Sequence, residues 1–225
     1  MTVAKSSFYV FLQKISSAGL QPDFSHIAND PRSGMDCHLK PLPDGFAYNG
    51  PLLLGSPKPP EKSYDIAGDH IVSERLAAVI GDVAGGEVRL VPYVLLPNPK
   101  SKYSLTGKYY HVEMPFIECI QIEYGAEQPT SDLWRKRAEA EGRSIPATYR
   151  PVIRKTLDMD KVSGLNLFKS TTTEIGGFMS EKLRSACKRA KIIGMINMTS
   201  DYCFHFSVLG LNDMMARGEG DLSRI

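Results

Sequence analysis

At 225 residues the chain is long enough to bury a sizeable core, as one large domain or two small ones. Hydrophobic residues at 42% and charged residues at 23% are ordinary for a globular protein and exclude disorder over most of the length. A formal net charge of +2 is too near neutral for a chain built around nucleic acid or a membrane surface, partners that call for a strong basic excess.

The first apolar cluster, Phe8 to Leu12, stops at Gln13 and Lys14. It is shorter than the core of a secretion signal, and no small-residue cleavage site follows. No run approaches the roughly 18 apolar residues that a membrane span needs. The expectation is a soluble, cytoplasmic protein. Cys37, Cys119, Cys187 and Cys203 form neither a disulfide framework nor a CxxC pair, so Cys119 and Cys187 read as buried thiols in a reducing compartment.

Residues 1–64 form a Pro-rich N-terminal arm, punctuated by Pro22, Pro31, Pro41, Pro43, Pro51, Pro57, Pro59 and Pro60. Long helices or central strands do not survive that density of proline. Phe8–Leu12, Phe46–Tyr48 and Leu52–Leu54 are short strands or anchors within it, and 55–63 is an exposed connector. Residues 65–225 form the main α+β domain, on which the arm packs. Ser73 caps a helix whose inner face is Leu76, Ala77, Val79 and Ile80, and Gly81 or the Gly85–Gly86 pair ends it. Val88 to Leu96 follows as a strand, bent or at an edge because of Pro92. Tyr109 to Tyr124 is strand-rich, and Asp132 to Glu141 is a helix with Leu133, Trp134 and Ala138 as its apolar side. Val152–Leu157 and Leu165–Phe168 are short strands joined by a turn over 158–164.

Phe178-Met-Ser-Glu-Lys-Leu183 then repeats the pattern of Ile71-Val-Ser-Glu-Arg-Leu76. In each case a helix leads into an apolar strand, here Ile192 to Met198, so the mixed sheet carries two similar helix–strand units. A last strand spans Tyr202 to Leu209.

No pattern carries covalent chemistry. Cys37-His38 and Cys203-x-His205 lack finger-like ligand spacing, so no metal site is assigned. The chain has no G-x-S-x-G elbow, and Gly81-Asp-Val-Ala-Gly-Gly86 lacks the Lys-Ser/Thr of a phosphate loop and follows a helix instead of opening one. No catalytic residue and no cofactor is expected. Basic residues gather at Arg135 to Arg137, extended by Arg143, Arg150, Arg154 and Lys155, and again at Lys182, Arg184, Lys188, Arg189 and Lys191. Glu113, Glu118, Glu123 and Glu127 fall in a stretch free of Lys and Arg. Charge segregation of this kind suits steered protein association, although each group also reads as the solvated side of a helix or strand.

Three stretches together resemble a known family. They are Gly68-Asp-His-Ile-Val-Ser-Glu-Arg-Leu76 leading to Gly86-Glu-Val-Arg-Leu-Val-Pro92, Lys108-Tyr-Tyr-His-Val112 with Ile117-Glu-Cys-Ile120, and Gly177-Phe-Met-Ser-Glu-Lys-Leu183 leading to Lys191-Ile-Ile-Gly194. Their order is similar to that of the imm-eleven class of immunity proteins from bacterial polymorphic-toxin and type VI secretion systems. The resemblance covers about residues 65 to 200 and implies a cytoplasmic antitoxin that occludes a cognate toxin and needs no cofactor. The candidate partner-binding residues are Trp134 with Arg135 and Arg137, together with Glu113 and Glu118. Trp134 has the composition of an interface hot spot, and the competing reading makes it a core tryptophan with basic residues on the outer helix face. The rival functions are an enzyme with an unfamiliar His-Cys-Glu site and a nucleic-acid-binding module using one continuous basic face.

Overall fold

The computed structural model describes residues 8–11, 20–22, 31, 42–50, 52–54, 65–67, 70–96, 107–170, 177–196 and 199–200. The first strands are β1 (Phe8–Phe11), β2 (Leu20–Pro22), β3 (Tyr48–Gly50), β4 (Leu52–Leu54), β5 (Ile66–Ala67) and β6 (Ile71–Ser73). Helix α1 (Glu74–Ala84) leads to β7 (Arg89–Leu95), β8 (Tyr109–Glu113), β9 (Phe116–Ile117), β10 (Ile120–Tyr124) and β11 (Gln128–Pro129). Then come α2 (Asp132–Ala140), β12 (Thr148–Tyr149), β13 (Val152–Leu157), α3 (Met159–Val162), β14 (Leu167–Ser170), β15 (Gly177–Ser180) and α4 (Glu181–Arg189).

Two sheets and two helices make the body. The five-stranded sheet has the order β3-β7-β8-β6-β5 and the four-stranded sheet the order β1-β15-β14-β9. Both are mixed, since β3 runs parallel to β7 and β9 parallel to β14 while the other neighbours are antiparallel. The protein is therefore α+β with mixed sheets. Pieces of the first 64 residues enter both sheets as strands, so the described part of the arm is woven into the body and does not merely lie on it. Pro92 pairs with Tyr110 inside β7, and β3 joins only beyond it, at Tyr93. The residue with no donor thus sits where β7 has a single partner strand.

The internal repeat is real but is built differently from the expected helix–strand unit. Hairpin β5–β6 leads directly into α1, and hairpin β14–β15 leads directly into α4. The registers match: Ile66 opposite Val72 and Ala67 opposite Ile71 in one, Leu167 opposite Met179 and Phe168 opposite Phe178 in the other. Ser73 and Ser180 are the helix N-caps, accepting from the N–H groups of Leu76 and Leu183. The Ser73 N–H donates to the Asp65 carbonyl at 2.8 Å, and the Ser180 N–H to the Asn166 carbonyl at 2.9 Å. The Ser73 hydroxyl reaches the Asp65 carboxylate at 2.7 Å, and the Ser180 hydroxyl reaches the Asn166 amide oxygen at 2.9 Å. The strand thus precedes the helix in both copies, and residues 192–196 form no strand after α4.

The two copies also hold each other. The segment after α1 offers Glu87, whose carboxylate accepts from the Asn166 and Leu167 N–H groups and the Asn166 side chain of the second copy. After α4, Ile193 donates its N–H to the Asp65 carboxylate at 2.8 Å and accepts the Asp65 N–H at 3.1 Å. That pairing occupies the Ile193 backbone, and the Ile192 N–H donates to the Cys187 carbonyl at 3.0 Å, so the start of the run that the sequence assigns to a strand finds other partners. Each copy thus satisfies polar groups in its counterpart.

Packing follows the same logic. Ile66, Val72, Leu76 and Ile80 from the first copy share one core with Leu167, Met179, Leu183 and Cys187 from the second, closed by Phe11, Val112 and Met114. The outer face of the five-stranded sheet gathers Tyr48, Ala67, Ile71, Val91, Tyr93 and Tyr109 into a second core together with Leu42. Phe8, Phe168, Phe178, Cys119 and Val162 form the third core, beside the four-stranded sheet. Full burial of each large apolar side chain is worth about 1.5–3 kcal/mol, which makes these three layers the source of the body's stability.

The span 158–164 contains α3 and no simple turn, and the strands flanking it lie in different sheets. Val162 is the reason, since one helical turn carries it into the third core. The connector 55–63, the strand expected over 202–209 and residues 197–198 lie outside the described residues. Among the described residues no helix is long and apolar enough to cross a membrane.

Candidate functional site

Between β10 and β13 the chain leaves the body and returns. Ile120 stands opposite Leu157, and both pack on the third core, so they anchor the base of the excursion. Beyond them the ribbon β10–β13 continues into the short ribbon β11–β12, capped by α2. We call residues 121–156 the finger. Only Gly125, Thr130 and Ala138 are buried within it, so it has no core of its own.

Local polar contacts hold its shape instead. Ser131 caps α2 with Asp132 in the first turn, where a carboxylate complements the helix dipole. Thr130 ties the approach to the helix to the segment that leads from it into β12, donating its N–H to the Ala147 carbonyl at 2.8 Å and its hydroxyl to the Pro146 carbonyl at 2.7 Å. At the other end Glu141 accepts from Arg137 and Arg143, with Arg143 the larger cause of a carboxyl pKa below the usual range. A bulge interrupts β10–β13: Glu123 faces Arg154, but Tyr124 faces Val152, which leaves Ile153 as the extra residue. Gly125 lies beneath that bulge, where a Cβ would stand 3.1 Å from Pro151 and 3.2 Å from Ile153.

The finger presents apolar side chains to solvent. Leu133 is 60% exposed, Ile153 53% and Tyr124 47%. Leu133 therefore does not belong to a buried face of α2, of which only Ala138 is buried. Trp134 is half-buried and joins none of the three cores, so the core reading of this tryptophan does not hold. The Arg150 guanidinium lies over the Tyr124 ring at 6.0 Å and donates to the Gly125 carbonyl at 3.0 Å.

The five candidate residues separate. Trp134, Arg135 and Arg137 share α2, where Arg135 pairs with Asp132 and Arg137 with Glu141. Glu118 is exposed on the approach to the finger's base, and its backbone carbonyl accepts the Lys161 ammonium at 2.8 Å. Glu113 belongs to the body: it pairs with Arg89 at 2.6 Å and accepts the Tyr48 hydroxyl at 3.2 Å. Its carboxylate is committed to holding β3, β7 and β8 together. Tyr124 lies far from Arg150 and Ile153 in the sequence, and the three come together only through the β10–β13 pairing and the Arg150–Tyr124 contact, so no local sequence signal groups them.

A second polar cluster lies on the outer face of the five-stranded sheet. The His111 ring is 4.3 Å from that of Tyr48 and 4.8 Å from that of His70. The cysteines that an enzyme of the expected His-Cys-Glu type would add are elsewhere. Cys119 lies in the third core, its pKa raised by burial, and Cys187 lies in the central core, pushed up to about 11 by burial. Both thiols are free and buried. Among the described residues no group of three His, Cys, Asp or Glu side chains could hold a metal ion. The pairs Cys37-His38 and Cys203-x-His205 lie outside those residues. Of the second basic set, Arg184 is spent on Glu181 and on the Tyr9 ring, 4.1 Å away, while Lys182, Lys188 and Arg189 are exposed on α4.

No protein-family model and no curated protein matches the chain.

Proposed function

We propose that this protein works by binding another protein, as an immunity protein that neutralises a cognate toxin or secreted effector by occluding it. One observation carries the reading: a finger with no core of its own, presenting Leu133, Ile153 and Tyr124 beside a body built on three buried cores. Exposed apolar and aromatic side chains held by a scaffold are what a protein interface uses, and aromatic and arginine residues dominate interface energetics. The resemblance over residues 65 to 200 supplies the biological setting, the cytoplasm of a cell that makes the toxin.

The test is co-expression of the full chain with a toxin domain encoded beside its own gene. Growth should be restored, and the two proteins should elute together in gel filtration. Toxicity unchanged at matched expression, with no complex at micromolar concentrations of both, would sink the proposal.

A further inference from the structure

The bulge of the finger specifies the chemistry of what it meets. Tyr124 and Ile153 stand there as exposed apolar points about a buried glycine, and Arg150 is stacked on the Tyr124 ring. Arg150, Arg154 and Lys155 bring three cations to this short stretch, and none of them forms an ion pair with a carboxylate among the described residues. The nearest counter-charge in register is Glu123, opposite Arg154. The local excess is therefore positive. It contrasts with α2 and the turn after it, where Arg135 is paired with Asp132 and both Arg137 and Arg143 are paired with Glu141.

We infer that the bulge of the finger, with Tyr124 and Ile153 as apolar anchors and Arg150 and Arg154 beside them, is the docking surface for an acidic segment of a partner protein. The inference rests on the protein-binding reading and names the surface and the partner's chemistry. A guanidinium stacked on an aromatic ring is already oriented, so a carboxylate meets it at low entropic cost. The same cations could attract phosphates. An exposed isoleucine, however, gains nothing from a phosphodiester backbone. A carboxylate-bearing chain that also offers apolar side chains satisfies both halves of the patch.

A phage-displayed random peptide library, panned against the immobilised full chain, provides the probe. The enriched peptides should carry Asp or Glu beside an apolar residue. Ile153→Ser should weaken them by about tenfold or more, as loss of a central apolar anchor does. Arg154→Glu should weaken them by a similar factor, and added salt should loosen the wild-type complex. Unfolding midpoints measured alongside establish that both variants fold. Failure to enrich any peptide, enriched peptides indifferent to both variants, or basic consensus sequences would overturn the assignment. So would an oligonucleotide that displaces the peptides, or a self-association in light scattering that Ile153→Ser abolishes. A chain that rescues cells from its toxin equally well with both substitutions would lose this docking surface and keep the antitoxin reading. A chain that selects acidic peptides at the bulge yet neutralises no toxin would do the reverse.

Discussion

The body and the finger use apolar residues in opposite ways. In the body the two hairpin–helix copies turn their apolar positions inward, so Leu76 and Leu183, or Val72 and Met179, meet in one core. In the finger, residues of the same chemical kind, Leu133 and Ile153, stand more than half exposed. The contrast separates two duties. Apolar area in the body stabilises the native state, whereas the exposed apolar area of the finger adds little to it. Polar groups divide likewise: Asp65 and Glu87 tie the two copies together, while those of the finger mostly fix its own outline.

Truncating the two leucines breaks the comparison most sharply. Leu183→Ala removes a fully buried side chain and should destabilise the protein by about 2–5 kcal/mol in chemical denaturation. Leu133→Ala should stay within about 0.5 kcal/mol of the parent. Equal effects would mean that the finger shares the body's core. Next in size is Asp65, whose side chain is 4% exposed and accepts from Ser73, Arg75 and the Ile193 N–H. Asp65→Ala should cost roughly 2–3 kcal/mol, as loss of hydrogen bonds to a buried charged group does. Asp65→Asn should cost clearly less, because Asn166 performs the equivalent task in the second copy. Arg75 is half exposed, so water recovers part of its loss in either variant.

The smallest effect appears only at high pH. Burial raises the Cys187 thiol from 9.0 to about 11. Above pH 9 the unfolded chain releases this proton while the folded chain retains it, so stability falls as pH rises through that window. The loss should reach about 1.4 kcal/mol by pH 10. Below pH 9 both states hold the proton and the contribution is fully present. Cys187→Ala should flatten this part of the stability–pH profile, and a profile unchanged by the substitution would place the thiol in water.

Much of the body was legible in the sequence because its signals are local. Ser73 and Ser180 stand one residue before helices of clear amphipathic spacing, and each proves to be the cap. The shared Ser-Glu-basic-Leu pattern revealed the repeat itself. The hairpins before the helices were harder to see, since Asp65 lies eight residues before Ser73 and Asn166 fourteen before Ser180. Unequal loops hide equal structures. The apolar run Ile192–Ile193 read as a strand because hydrophobicity does not report where a backbone finds its partners. The finger was hidden for a related reason. Val152–Leu157 was visible as a strand, but its partner is β10, across the whole of α2, and only that pairing sets Tyr124 opposite Val152 and leaves Ile153 as the bulged residue. Trp134 was noticed by its type, whereas its neighbours matter through their position.

Ile120 and Leu157 face each other at the base of the finger, so a two-residue Asn-Gly turn can join them and remove residues 121–156. The denaturation midpoint of that shortened chain tests the division of labour most directly. It should match the parent midpoint, because the three cores remain whole. A fall comparable to that of Leu183→Ala would show that the finger belongs to the folding unit, and the contrast drawn between the two regions would not stand.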